Sequence, residues 1–132
     1  MQIDDSRPIW AQLVDEFRRR IAAAEWSAGA KVPSVRELAL ELGVNPNTVQ
    51  KALTEVDRQG FTTAERTSGR FVTSDDAVIA RCRGELAAAS ADAFAEAASG
   101  LGMPLADAER LLAERWARLD TAPRPSPERT ER

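Results

Sequence analysis

A glycine at position 43 separates two short amphipathic segments, and this arrangement restricts the fold more than any other feature of the chain. The first segment opens with Ser34 and Glu37, which have the spacing of a capping box. Gly43 suits the left-handed C-cap that ends such a helix. Asn45 fits an N-cap, and Pro46 fits the first position of the next helix. Two short helices joined by a tight glycine turn predict a helix-turn-helix.

Apolar residues recur every three or four positions, which predicts the buried faces of three helices in the first half of the chain. The first helix is predicted over residues 8–24, with Pro8 at its start, and the third is predicted to end near Gly60. The apolar positions are Ile9, Leu13, Phe17 and Ile21, then Val35, Leu38, Ala39 and Leu42, then Val49, Ala52, Leu53 and Val56. Residues 61–73 are rich in Thr, Phe and Val around Thr67-Ser68-Gly69, so they predict a β-hairpin wing.

Two more helices are predicted after the hairpin, the first from residues 74–76 to Gly102 and the second from Pro104. Two helices this apolar cannot bury both faces in a lone hairpin, so they need the winged domain, another chain, or both. The predicted fold is therefore mainly α: a winged helix-turn-helix over residues 1–73, then a two-helix dimerisation or regulatory part over 74–120. The proline-rich tail, 121–132, is predicted to be disordered.

The composition excludes several kinds of chemistry. The chain has no histidine and a single cysteine, Cys82, which leaves no Ser-His-Asp triad, no Cys/His zinc site and no internal disulfide. No glycine-rich loop precedes a Lys-Ser or Lys-Thr pair, so a P-loop is not expected. We predict neither an enzyme nor a cofactor or metal site. Without a secretory signal or an apolar run of roughly 18–20 residues, we expect a cytoplasmic protein with no membrane partner.

The charge balance and the start of the third helix differ in whether they favour nucleic-acid binding. Residues 1–73 hold ten acidic and ten basic side chains, so a nucleic-acid surface would have to be a local patch. Hydrogen-bonding residues nevertheless crowd this helix start, namely Asn47, Thr48, Gln50 and Lys51. In a helix-turn-helix this end enters the major groove, where Gln50 can pair with adenine and Lys51 can meet a phosphate or guanine.

Three stretches resemble the GntR family of bacterial regulators: PIWAQLVDEFRRRIAA, AGAKVPSVRELALELGVNPNTVQKAL and the hairpin ending GRFV, which together span about residues 7–73. The short helical part that follows is similar to the YtrA-like subfamily, which lacks the large effector domain of other branches. The wing departs from the family pattern of two glycines around one residue followed by Thr or Ser. Here Thr67 stands at the first glycine, and Arg70 follows Gly69.

The resemblance implies a homodimeric regulator that binds double-stranded DNA with two half-sites and represses a transporter operon or its own gene. By position it implies DNA contacts for Arg36, Asn45, Asn47, Thr48, Gln50 and Gly69, and Arg70 is expected to add a phosphate or minor-groove contact. The residues expected at the dimer interface are Ile79, Leu86, Phe94, Leu101, Leu112 and Trp116. Structural alternatives stay open: a cap for Asn45 and Thr48, an ion pair for Arg36, and turn geometry for Gly69.

A second hypothesis is a protein-interaction module, in which the winged helix docks a partner and the stripe from Ile79 to Leu119 is a helix-bundle adaptor. Neutrality of residues 1–73 favours it. The polar start of the third helix disfavours it, because such interfaces prefer aromatic or aliphatic anchors. A small-molecule effector of a regulator would have to bind between helices near Phe94, Leu101 and Trp116, where core packing is the alternative.

Overall fold

The computed structural model describes residues 1–121, which form five helices and two strands. In chain order they are α1 (Ile9–Ala22), α2 (Val35–Leu42), α3 (Pro46–Arg58), β1 (Thr62–Glu65), β2 (Gly69–Val72), α4 (Asp76–Gly100) and α5 (Leu105–Thr121). The predicted winged helix-turn-helix followed by two helices is therefore confirmed. The predicted disordered tail lies outside the described residues, apart from Thr121, which is the last residue of α5.

The helix-turn-helix is set by the caps that the sequence predicts. The Ser34 hydroxyl accepts a hydrogen bond from the Glu37 N–H at 3.1 Å, and the Glu37 carboxylate accepts one from the Ser34 N–H at 2.9 Å. Gly43 ends α2 with a φ of 67°, a conformation that costs other residues energy. The Asn45 side chain accepts from the Asn47 N–H at 2.7 Å, so it starts α3. These local interactions fix where each helix begins and ends.

The chain divides into two compact units, the first spanning Met1–Ala88 and the second beginning at Ala89. In the first unit, α1 and α2 both pack against α3. The rings of Phe17 and Trp26 stack in its core, with their centroids 5.3 Å apart. The largest fully buried side chains are Phe17, Phe61, Leu13, Ile21, Leu38, Leu53, Val49, Val56 and Cys82. This core packs against one face of α3, and the opposite face of that helix is exposed to solvent.

The first unit extends beyond residue 73, where the sequence predicts a boundary, because the beginning of α4 contributes to the same core. Ile79 and Cys82 are buried there, Leu86 packs against it, and the Cys82 thiol donates to the Arg18 carbonyl at 3.5 Å. The sequence places Ile79 and Leu86 at a dimer interface. The structure gives both of them neighbours within their own chain.

The wing is an antiparallel hairpin in which Thr62 pairs with Val72 and Glu65 with Gly69. The segment before α2 runs along the second strand: the Val72 N–H donates to the Ala30 carbonyl at 2.9 Å, and the Val32 N–H donates to the Arg70 carbonyl at 2.8 Å. Backbone hydrogen bonds therefore tie the wing to the helix-turn-helix.

The second unit buries two alanines and exposes several large apolar side chains. Ala98 of α4 and Ala108 of α5 are buried, and Phe94 is half-buried. Five large apolar residues are exposed to solvent, with exposed fractions of 81% for Leu101, 74% for Leu105, 48% for Leu112, 61% for Trp116 and 59% for Leu119. Most of the apolar stripe on α5 is therefore uncovered. None of the helices in the described part of the chain is long and apolar enough to cross a membrane.

Candidate nucleic-acid interface

One face of α3 is polar and open to solvent. Its exposed residues recur every three or four positions, opposite the buried stripe of the same helix. They are Asn47, Gln50, Lys51, Thr54 and Arg58, and we call this set the α3 face. The Gln50 amide donates to the Thr54 hydroxyl at 3.1 Å, while its oxygen accepts no hydrogen bond from residues 1–121. Thr48 is half-buried beside this face. The first turns of α3 thus present hydrogen-bonding groups to solvent.

Arg36 and Asn45 flank the α3 face on the preceding helix and turn. Arg36 is exposed on α2 and forms no hydrogen bond or ion pair with any residue in the described range, so the ion-pair alternative for it is not seen there. Asn45 uses its side-chain oxygen for the cap. Its amide nitrogen donates to none of residues 1–121, so the cap leaves that group available.

Ion pairs engage most of the basic side chains of residues 1–73. Six of the ten basic residues in this range are paired with carboxylates: Arg7, Arg18, Arg19, Arg20, Arg58 and Arg70. The remaining four have no carboxylate partner within the described residues, and we call them the unpaired cations. They are Lys31, Arg36, Lys51 and Arg66, and all lie in the helix-turn-helix, the segment before it, or the wing turn. Overall neutrality therefore does not exclude basic side chains without carboxylate partners in this part of the first unit.

Lys31 and Arg66 are members of this set that the sequence reasoning missed. Lys31 lies just before the capping box, and Arg66 is a basic residue in the wing turn. A basic residue between the two predicted strands is the signal that could have identified Arg66. Gly69 has a φ of 106°, and a Cβ there would lie only 2.7 Å from Lys31 Cε. The Lys31 chain therefore passes over the wing backbone at Gly69, where a side chain would obstruct it.

Two carboxylates lie near Lys31. A groove of about 730 Å³ between the wing and the segment before α2 is lined by Lys31, Glu37, Glu65 and Gly69, among others. Hydrogen bonds with Ser34 lower the pKa of Glu37, and the charge of Lys31 adds to this effect. Glu37 is thus ionised and engaged in the α2 cap, which makes the groove itself mixed in charge.

Arg70 has a partner that the sequence did not reveal. Its guanidinium donates twice to the Asp57 carboxylate, with Nε–Oδ1 and Nη2–Oδ2 distances of 3.0 Å each. Only 13% of the Arg70 side chain and 24% of the Asp57 side chain are exposed, and the Thr62 hydroxyl donates to the same carboxylate. The pair joins the wing to the end of α3. A DNA contact by Arg70 stays a prediction, for a group that already has a bidentate partner.

A helix-turn-helix with an exposed polar second helix, a β-hairpin wing and local unpaired cations defines a winged-helix DNA-binding protein. A sequence profile for "Bacterial regulatory proteins, gntR family" matches residues 10–72. The uncharacterized regulator YhcF of Bacillus subtilis (strain 168) is 31% identical over 102 residues, which are 77% of this chain and 84% of YhcF. The chain belongs to the GntR family of bacterial transcriptional regulators.

Other similarities agree with this assignment. The transcriptional repressor YtrA of B. subtilis is 36% identical over 77 residues, covering 57% of this chain and 59% of YtrA. A GntR family regulator from Listeria monocytogenes has a similar structure, with a TM-score of 0.71 and 33% identity over 88% of this chain and 97% of that one. The AraR DNA-binding domain in complex with operator ORR3 has a TM-score of 0.50 and 26% identity, over 55% of this chain and 88% of AraR's. The YtrA-like character predicted from the sequence is confirmed.

Proposed function

We propose that the protein is a homodimeric repressor that acts in the cytoplasm on an operator with two half-sites, in front of a transporter operon or its own gene. The observation that supports DNA binding is the presence of the α3 face and the unpaired cations in the same compact unit. YtrA is itself described as a repressor, which supports the sign of regulation, and the AraR domain is seen with its operator, which supports an operator duplex as the kind of target.

The residues divide into two roles by their chemistry. Asn47, Thr48 and Gln50 have neutral donors and acceptors that read base edges in the major groove. Asn45 and Gly69 contribute contacts from the turn and the wing backbone, which position the protein on the duplex. The unpaired cations neutralise phosphates, and Arg36 is also able to pair with guanine.

The second unit supplies the dimer in this proposal. Leu112 and Trp116 line an open groove of about 470 Å³ on α5, and both are exposed to solvent. Contiguous apolar surface on a regulator marks an interaction site, and a second copy of the same helix would cover it symmetrically. Neither Phe94 nor Leu101 lines this groove, so the effector site predicted between them and Trp116 is not carried into the proposal.

Selection from a randomised duplex pool tests the DNA part and identifies the operator sequence in the same experiment. The recovered duplexes should share a two-fold related motif with half-sites about 10 base pairs or a multiple apart. Affinity for them should fall steeply with salt, because each neutralised phosphate releases counterions. Absence of duplex binding even at low salt would instead support the protein-interaction module.

A further inference from the structure

An aromatic ring holds the one cation of the α3 face that has no carboxylate partner among the described residues. The Lys51 ammonium lies 4.5 Å from the centroid of the Trp10 ring. Trp10 is in the first turn of α1, is half-buried and packs against the core of the first unit. The ring is therefore fixed by the fold, whereas Lys51 is exposed to solvent.

This contact differs from the other cation–aromatic contacts in the described part of the chain. Arg18 and Arg81 both lie over Phe61, and both are paired with Glu85. Arg20 lies over Trp26 and is paired with Glu16 and Glu41. In those cases a carboxylate cancels the charge, and the ring adds packing. Lys51 is the exception, because within residues 1–121 it contacts an aromatic face and no carboxylate, and such a face attracts a cation without contributing a negative charge.

The position of Lys51 on α3 makes its contact with Trp10 relevant to DNA binding. Lys51 follows Gln50 and lies one helical turn after Asn47, so it shares the face with the residues proposed to read bases. A free lysine chain loses much rotamer freedom when it meets a phosphate. A lysine already held on a ring loses less, and it keeps its full charge for the phosphate.

We propose that Trp10 is a positioning residue for DNA binding, which orders the Lys51 ammonium and leaves its charge available to a backbone phosphate. The inference rests on the proposed function. It adds a residue of α1, outside the helix-turn-helix, to the determinants of affinity. Its chemical target is the phosphate backbone of duplex DNA, so its effect should be independent of base sequence.

The test is a double-mutant cycle with W10L, K51M and the combined variant, read by fluorescence anisotropy over a range of KCl concentrations. Two duplexes of equal length serve as probes, one selected from a random pool by the wild-type protein and one of mixed sequence. K51M should weaken binding to both and reduce the salt slope by about 0.9 per lost phosphate contact. W10L should weaken binding by about two- to fivefold when Lys51 is present, and should have no further effect on K51M.

Two controls separate positioning from folding. V78A removes part of another half-buried side chain that packs on the same core. It therefore serves as the control for a general loss of packing in that core. W10F retains an aromatic face and should restore most of the affinity lost in W10L. Equal losses for W10L with and without K51M, or no rescue by W10F, would overturn the inference while leaving DNA binding intact. A selection that recovers no duplex, together with no binding of the wild type to the duplex of mixed sequence, would remove the proposed function as well.

Discussion

At the scale of single residues, Gln50 is the side chain with most to contribute to sequence preference. Its amide oxygen has no hydrogen bond within the described residues, and Thr54 holds its nitrogen. We expect Q50A to lower discrimination against a wrong base pair at one operator position by about 1–3 kcal/mol. Competition between the selected duplex and its single-base-pair variants measures this loss.

The matched control for Gln50 lies at the other end of the same face. Arg58 is exposed and paired with Glu55, so R58A should leave the base preference unchanged. A Q50A protein that ranks the variants in the same order and by the same ratios as the wild type would contradict a base-reading role for Gln50.

Glu16 makes stability depend on pH. Burial raises the pKa of its carboxyl, but hydrogen bonds from Arg19 and Arg20 outweigh burial and leave that pKa below its ordinary value of 4.5. A carboxyl group whose pKa is lower in the folded state than in the unfolded state stabilises the fold at pH values above the unfolded-state pKa. This stabilisation is lost as the pH falls through the folded-state pKa. We therefore expect E16Q to cost about 1–2 kcal/mol of unfolding free energy at pH 7, and progressively less below pH 4.5.

Urea unfolding of the wild type and E16Q at pH 7 and at pH 3 measures this dependence. E65Q is the control, because Glu65 is exposed and forms no ion pair with any residue from 1 to 121. A cost of E16Q that is the same at both pH values would show that the Glu16 charge does not contribute.

At the scale of elements, α2 depends on its cap. S34A removes the acceptor for the Glu37 N–H and should destabilise the first unit by about 1 kcal/mol. Thermal unfolding should shift down by roughly 4–8 °C. S68A provides the comparison, since Ser68 is exposed in the wing turn and makes no hydrogen bond within residues 1–121. Equal melting temperatures for S34A and S68A would mean that the capping box contributes nothing.

The Asp57–Arg70 pair fixes another element, the wing. Breaking it from either side should lower the unfolding free energy by about 2 kcal/mol, and the double variant should cost less than the sum. We expect D57N and R70M to weaken operator binding similarly without changing its salt slope, because the pair acts through wing position. If R70M flattens the slope while D57N, which frees the guanidinium, steepens it, then Arg70 contacts phosphate as the sequence predicts.

The contrast between α2 and the wing shows how far the sequence could lead. The capping box of Ser34, the left-handed Gly43 and the Asn45 cap were all predictable, because each is satisfied within a few residues of chain. The pairing of Arg70 with Asp57 joins residues from two elements, and no spacing rule encodes it. The place of Ile79 in the first core was missed for the same reason: periodicity identifies an apolar face but not what covers it.

At the scale of the whole molecule, the two compact units differ in how they use apolar residues. The first encloses the rings of Phe17 and Phe61 completely. The second, which contains the end of α4 and all of α5, leaves Leu112 and Trp116 exposed. Covering such a face with another surface lowers the free energy of the system by about 25 cal/mol for each Å² of apolar area buried. In the proposed repressor, that surface is the same face of a second copy.

Charge placed on this face should therefore separate the subunits. We expect L112E and W116E to sediment near the monomer mass of 14.4 kDa under conditions where the wild type has twice that mass. L40E is the matched control, because Leu40 is 79% exposed but lies on α2, in the other unit, and it should leave the mass unchanged. Circular dichroism should show unchanged helix content, since the substituted side chains are not part of a core.

Loss of the dimer has a specific consequence for operator binding. Two linked DNA-binding units gain about 10²–10⁴ in avidity on a duplex with two half-sites, but nothing on a duplex with one. L112E should therefore bind a single half-site as the wild type does, and should lose its advantage on the paired sites. If L112E and W116E both retain the double mass, the α5 face is not the dimer interface. If they are monomers that still bind paired sites as tightly as the wild type, dimerisation does not contribute to operator affinity.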